Sequence, residues 1–216
     1  MEFHCVSGCS DCCINREYYP DRRFGKVGVL LLPQERGRMM RLASELGIEL
    51  RILPRVGVSG RGRTGPSRII AYQMMGRDAN GDTCPFLGDE GGGPKSPHGG
   101  RLCRVYGQRP LACAAYPLSG RDPVLLDQKC RFCRECCDTA DGNLESETRA
   151  LLAIERTVGS DAPLVWRFAT ETGEEADRKY FESGWMRDDC GVRGDEGDGS
   201  CNSNGNGNGS LDSTPR

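Results

Sequence analysis

The sequence predicts a small, loop-rich, metal-stapled α+β domain with a few short strands and about three helices. Three observations carry that expectation. Short apolar runs of strand length are interspersed with stretches whose apolar residues recur at helical spacing. Glycine, at 30 of 216 residues, punctuates the chain with turns. Cysteine, at 13 residues in a chain that is only 37% hydrophobic, points to cross-links that make up for a modest core.

Taken in order, "GVLLL" (Gly28 to Leu32) is a short buried strand. Pro33 suits the first turn of a helix through about Leu46, with Met39, Leu42, Ala43 and Leu46 on one face and Gly47 as its stop. "RIIAYQMM" (Arg68 to Met75) is a second strand, and "GRLCRVY" (Gly100 to Tyr106) a third. Between Arg51 and Arg77 stand six arginines and no acid, a stretch expected to form a solvated surface loop. "GDEGGGPKSPHGG" is a flexible insert. A helix is expected from Leu144 to Val158, burying Leu144, Leu151, Leu152 and Ile154. Another is expected from Glu174 to Ser183, anchored by Tyr180, Phe181 and Trp185. The resulting division is a cysteine-cluster metal-binding domain over residues 1–140, C-terminal helices packing on it over 141–187, and a tail over 188–216. That tail is rich in Gly, Asn and Ser, cannot repay its ordering entropy and is expected to be disordered, so its Cys190 and Cys201 are set aside as ligands.

Bulk properties narrow the function. A net charge of −2 gives no global signature of nucleic-acid binding. No segment approaches the ~20 apolar residues of a membrane helix. The opening "MEFHCVSG" lacks the features of a signal peptide, so a cytoplasmic location is expected. In a reducing compartment clustered cysteines are more often metal ligands than disulfides.

Setting the tail aside, the cysteines fall into three groups. They are Cys5, Cys9, Cys12 and Cys13; then Cys84, Cys103 and Cys113; then Cys130, Cys133, Cys136 and Cys137. A disulfide between adjacent Cys12 and Cys13 would be strained. A Cys-x2-Cys redox pair at Cys9 and Cys12 would need a preceding strand for which there is no room. Metal coordination fits better, because residues three apart across a tight turn can present two sulfurs to one tetrahedral ion. Thiolates crowded this closely repel one another, and a divalent ion or an iron–sulfur cluster supplies the compensating charge.

The second group lies in "TCPFLGDE" and "RLCRVYGQRPLACAAYPL". The pattern C-P-F-L followed by C-x2-Y-x2-R-P-x2-C-x2-Y-P, together with the N-terminal C-x3-C-x2-C-C, resembles the YkgJ-like cysteine-cluster family of zinc- or iron-chelating proteins, marked by the motif CxxCxxCC. The resemblance covers roughly residues 3 to 137. It implies that Cys5, Cys9, Cys12, Cys13, Cys84, Cys103 and Cys113 are ligands, with one cysteine further downstream making eight; Cys130 is taken as that eighth ligand, with Cys133, Cys136 and Cys137 as the alternatives. The chain departs from the family pattern in its first gap, which is three residues rather than two. It departs also in "CRFCRECC", which repeats the C-x2-C-x2-C-C spacing, so that Cys133, Cys136 and Cys137 form either a second metal site or spare thiols.

Around the second group, Arg104 and Arg109 can balance residual negative charge or donate to sulfur, and Tyr106 and Tyr116 can shield the centre from water. Pro110 and Pro117 stiffen the turn that carries Cys113. Cys5-x3-Cys9-x2-Cys12 also matches the spacing by which radical-SAM enzymes hold a cluster with one open iron. Here a fourth thiol at Cys13 competes for that iron, and no long βα series follows. His4 and His98 offer no acid–base pair, and no nucleophile elbow, phosphate loop or dinucleotide fingerprint is present. The expected cofactor is zinc or an iron–sulfur cluster, with the balance towards iron–sulfur. Two other functions stay open: a cluster-dependent enzyme with an open metal position, and an interaction module using the arginines from Arg51 to Arg77.

Overall fold

The computed structural model describes residues 10–14, 18–79, 81–88, 103–130, 133 and 144–188. In chain order they form α1 (Asp11–Ile14), β1 (Val29–Leu31), α2 (Pro33–Glu45), β2 (Ile52–Ser59), β3 (Arg68–Met74), α3 (Leu111–Ala115), β4 (Leu118–Arg121), β5 (Val124–Leu126), α4 (Glu145–Val158), β6 (Leu164–Ala169) and β7 (Gly184–Arg187). Antiparallel pairing gives a five-stranded sheet in the order β1-β3-β2-β6-β7, and β4 and β5 make a separate hairpin. This is the α+β class expected from the sequence.

The edge strand β1 separates two apolar clusters, because successive side chains of a strand point to opposite faces. Leu31 joins Met39 and Ala43 of α2, Met74 of β3, and Cys84, Phe86, Leu87 and Val105 from the loops. Leu30 faces the other way, against a cluster of Ala115 from α3 and Ala150 and Ile154 from α4. Segments carrying cysteine therefore press on β1 from both sides.

Pro33 opens α2 as expected, and Gly47, at φ 64°, takes the left-handed conformation beyond its end. The stretch from Arg51 to Arg77 is not a loop. Most of it is the hairpin β2–β3; Arg61 and Arg63 stand in solvent on the connecting turn, and Arg51, Arg68 and Arg77 are exposed at the ends of the two strands. Arg55 is the extra residue of a β-bulge, since Pro54 pairs with Tyr72 and Val56 with Ala71. Pro54 donates no backbone hydrogen bond, and strand prolines collect at such irregularities. The buried Gln73 side chain bridges the gap: its Nε2 donates to the Pro54 carbonyl at 2.8 Å, and its Oε1 accepts from Gly28 N–H at 2.9 Å.

Two further expectations are corrected. Cys103 makes only an isolated bridge to Leu87, and Tyr106–Gln108 is a 3-10 turn, so the third strand does not form over its described part; residues 100–102 lie outside the described residues. Gly107 and Pro110 favour turns there. The second C-terminal helix is a 3-10 segment, Glu175–Tyr180, and Trp185 sits in β7 rather than on a helix. The tail from residue 189 and the insert from residue 89 to 102 lie outside the described residues. Among the described residues no helix is long and apolar enough to cross a membrane.

Candidate metal centre

Four separate stretches of chain bring their cysteines to one chamber. Cys12 and Cys13 arrive on α1, Cys84 on the loop after β3, Cys103 at its bridge to Leu87, and Cys113 on α3; all five line a cavity of about 350 Å³. Backbone hydrogen bonds stitch these stretches together. Cys84 N–H donates to the Cys13 carbonyl at 2.6 Å, and Arg104 N–H donates to the Phe86 carbonyl at 2.9 Å.

Charged side chains hold the loops from behind. Lys26, itself buried, reaches Asp82 at 2.6 Å and so pins the loop that leads into Cys84. Within that loop the Asp78 carboxylate accepts the N–H groups of Asp82 and Thr83. The Tyr18 hydroxyl donates to Asp127 Oδ2 at 2.7 Å. Asp127 in turn accepts the Lys129 N–H through its side chain and the Cys130 N–H through its carbonyl, shaping the turn that carries Cys130.

The rest of the wall is mostly apolar, with Val29, Leu30, Met74, Phe86 and Val105 exposed to the cavity. Gly28 allows the wall to close, since a Cβ there would stand 2.2 Å from the Met74 carbonyl oxygen. Two guanidiniums line the cavity, Arg55 and Arg109. Arg55 is aimed inward by its bulge and donates to the Gly28 carbonyl at 3.0 Å. Arg109 stacks over the Tyr106 ring at 4.2 Å. Tyr106 and Tyr116 both line the cavity, with the Tyr116 hydroxyl buried and making no hydrogen bond among the described residues.

Two of these thiols, Cys13 and Cys103, are shifted towards the protonated form. Cys13 lies well above the ordinary thiol range, chiefly because its hydrogen bonds with the Cys12 and Cys84 thiols favour the neutral form, with burial adding to this. Burial likewise raises Cys103, against the opposing pull of the Val105 N–H and the nearby Arg109. Tyr18 and Tyr116 are also raised, first by burial. Neutral crowded thiols become thiolates only when a cation joins them. The donor set therefore fits a thiophilic metal or cluster: soft sulfurs in number, two cations to offset their charge, and a low-polarity wall.

The predicted residues fall as follows. Cys12, Cys13, Cys84, Cys103, Cys113, Arg109, Tyr106 and Tyr116 come together at the cavity. Cys130 is buried near Tyr116 but is not among the lining residues, and Arg104 points instead to the Leu46 carbonyl. Cys133 is half-buried, while Cys5, Cys9, Cys136, Cys137, His4 and His98 lie outside the described residues. Among the described residues no three His, Cys, Asp or Glu side chains stand close enough to hold a metal by themselves, so the sulfurs surround a chamber rather than a preformed ligand cage. Arg55, Tyr18 and Asp127 are additions from the structure. The one sequence signal among them is Pro54, whose place in a strand marks the bulge that aims Arg55.

Comparison with known proteins identifies the family. Residues 4–128 match a family model described as "CxxCxxCC: Putative zinc- or iron-chelating domain". The match includes the first seven predicted ligands and ends before Cys130. Neither the curated proteins nor the solved structures searched contain a significant match. Through more than half of its length, then, this chain belongs to the CxxCxxCC family of zinc- or iron-chelating domains.

Proposed function

We propose that Cys5, Cys9, Cys12, Cys13, Cys84, Cys103, Cys113 and Cys130 hold an iron–sulfur cluster or zinc, the cluster being favoured, in a protein of the reducing cytoplasm. The observation that carries this is the convergence of five thiols from four stretches of chain on one chamber. Its volume of about 350 Å³ is also generous. On the same measure a water needs only about 10–15 Å³, so the chamber has room for a polynuclear centre as well as for a single ion.

When bound, a cluster would supply one-electron redox chemistry, whereas zinc would supply structural cross-linking alone. The chain's own residues supply the rest. Each set of four thiolates around an ion or cluster of charge +2 leaves a net charge of about −2, so eight ligands ask for two such centres or for further positive charge. Arg55 and Arg109 are placed to balance that negative charge. Tyr106, Tyr116, Phe86 and Val105 cover part of the chamber, which lowers the polarity on their side of the sulfurs, a factor in redox tuning. Cys133, Cys136 and Cys137 would supply any second site.

Anaerobic purification followed by metal and acid-labile sulfide analysis tests the proposal. Iron with stoichiometric sulfide is the expected result, and its ratio to protein separates one centre from two. Stoichiometric zinc in a colourless, sulfide-free protein would end the electron-transfer part and leave a structural metal. Protein free of both metals would overturn the reading.

A further inference from the structure

Glu35 is buried, at 4% exposure, in the first turn of α2, and its carboxylate is fully engaged. One oxygen, Oε2, accepts the Leu32 N–H at 2.9 Å, which closes the helix N-terminus. Capping requires no more than that. The other oxygen, Oε1, accepts the Leu111 N–H at 2.9 Å and the Arg38 guanidinium at 3.2 Å. Arg38 also donates to the Gln108 carbonyl. The two side chains thus grip the chain at both ends of Gln108–Leu111. Arg109 and Pro110, between those ends, line the chamber, and Cys113 follows within the next turn, its N–H donating to the Pro110 carbonyl at 2.9 Å.

A buried carboxylate is costly unless every lone pair is used, so its retention here needs the partners on both helices. The α3 helix has five residues and cannot hold itself together. Pro110 has no N–H to give, which leaves the Leu111 N–H as the first donor by which α3 can be anchored. Metal–sulfur bonds tolerate only about 0.2 Å of error, so the placement of that short helix matters to any centre it serves.

We propose that Glu35 is the positioning residue for Cys113, its carboxylate acting with Arg38 to fix the Gln108–Leu111 turn so that the Cys113 sulfur faces the chamber before metal arrives. The inference rests on Cys113 being a ligand, and its test keeps the two ideas apart.

Zinc affinity is measured by competition with a chromogenic chelator for the full chain and for Glu35→Gln, Cys113→Ser and the double variant. Glutamine keeps the shape but cannot accept at both ends, so Glu35→Gln is expected to bind about tenfold more weakly. In the Cys113→Ser background the same change should have no effect, because the sulfur it positions is gone. A tenfold loss that persists in that background would show a general scaffold role and overturn the proposal, as would wild-type affinity in Glu35→Gln. Wild-type affinity in Cys113→Ser would instead overturn the ligand assignment. Should Glu35→Gln not fold, Arg38→Gln is read in its place: about a threefold loss is expected, again only while Cys113 is present, and a loss in both backgrounds overturns the proposal.

Discussion

Met39 on α2 and Cys113 on α3 both sit on helices packed near β1 and β3, yet their surroundings differ in kind. Met39 is wholly buried among Leu31, Ala43, Met74 and Phe86, and nothing polar is needed to keep it there. Cys113 is half-buried, faces a chamber, and belongs to a five-residue helix held by a carboxylate and a guanidinium from elsewhere. The sheet side is stabilised mainly by apolar packing, with Gln73 spanning the bulge, whereas the chamber side, which shares that packing through Cys84, Phe86 and Val105, adds discrete polar braces: Lys26 to Asp82, Glu35 to Leu111, and Tyr18 to Asp127. The lesson is that loops carrying cysteine can be ordered around a chamber when a neighbouring sheet anchors the braces.

The largest expected effect tests the independence of the sheet half. Met39→Ala removes a fully buried side chain and should cost about 2–5 kcal/mol of unfolding free energy, measured by denaturant titration of metal-free protein. The chamber should stay competent, so metal content per folded molecule should not change. A loss of metal binding in proportion to the loss of stability would show that the two halves are one cooperative unit.

A second effect sharpens the chamber side. Neighbouring thiols and burial raise the pKa of Cys13, and burial that of Cys103, so each holds its proton at neutral pH, and a metal that takes them as ligands, as proposed, must displace those protons. Binding therefore releases protons, and affinity must fall as pH falls. Each displaced proton contributes about tenfold per pH unit, so these two thiols give about a hundredfold weakening between pH 7 and pH 6. Chelator competition at several pH values checks this; a flat profile would place the metal on groups that are already ionised.

The same contrast explains what the sequence revealed. The apolar half was mostly legible, because Leu31, Met39, Ala43 and Ile154 repeat at the period of their own element. Strand β2 was hidden by Pro54 and its arginines, which read as a basic loop although Arg55 is aimed inward. Strand β6 buries Trp166 and Ala169, three residues apart, and so lacks the alternation of a strand with one buried face. The 3-10 segment at Glu175–Tyr180 shares the short-range spacing of a helix over so few residues. On the chamber side the thiols announced themselves, because cysteine at short spacing has few other uses. The braces did not, since Glu35 meets Leu111 and Tyr18 meets Asp127 only after folding, and a lone acid carries no mark of a partner so distant in sequence.

The smallest expected effect concerns the brace nearest a cysteine. Asp78 is exposed, and its carboxylate is held below the usual range: burial opposes this, but the N–H groups of Asp82 and Thr83 outweigh it. A carboxyl whose folded pKa is lowered contributes stability above its unfolded value, near ~3.9, and loses it as pH falls through the folded value. Asp78→Asn should therefore cost no more than about 1 kcal/mol at pH 7, discounted for exposure, with the difference from wild type vanishing in acid. Because Asp78 shapes the turn before Cys84, the variant should also show faster alkylation of Cys84 in metal-free protein, read by mass spectrometry of the labelled peptide. A stability loss without that change in reactivity would mean that the turn's order ends at Thr83, and that Cys84 is placed by its backbone bond to Cys13 alone.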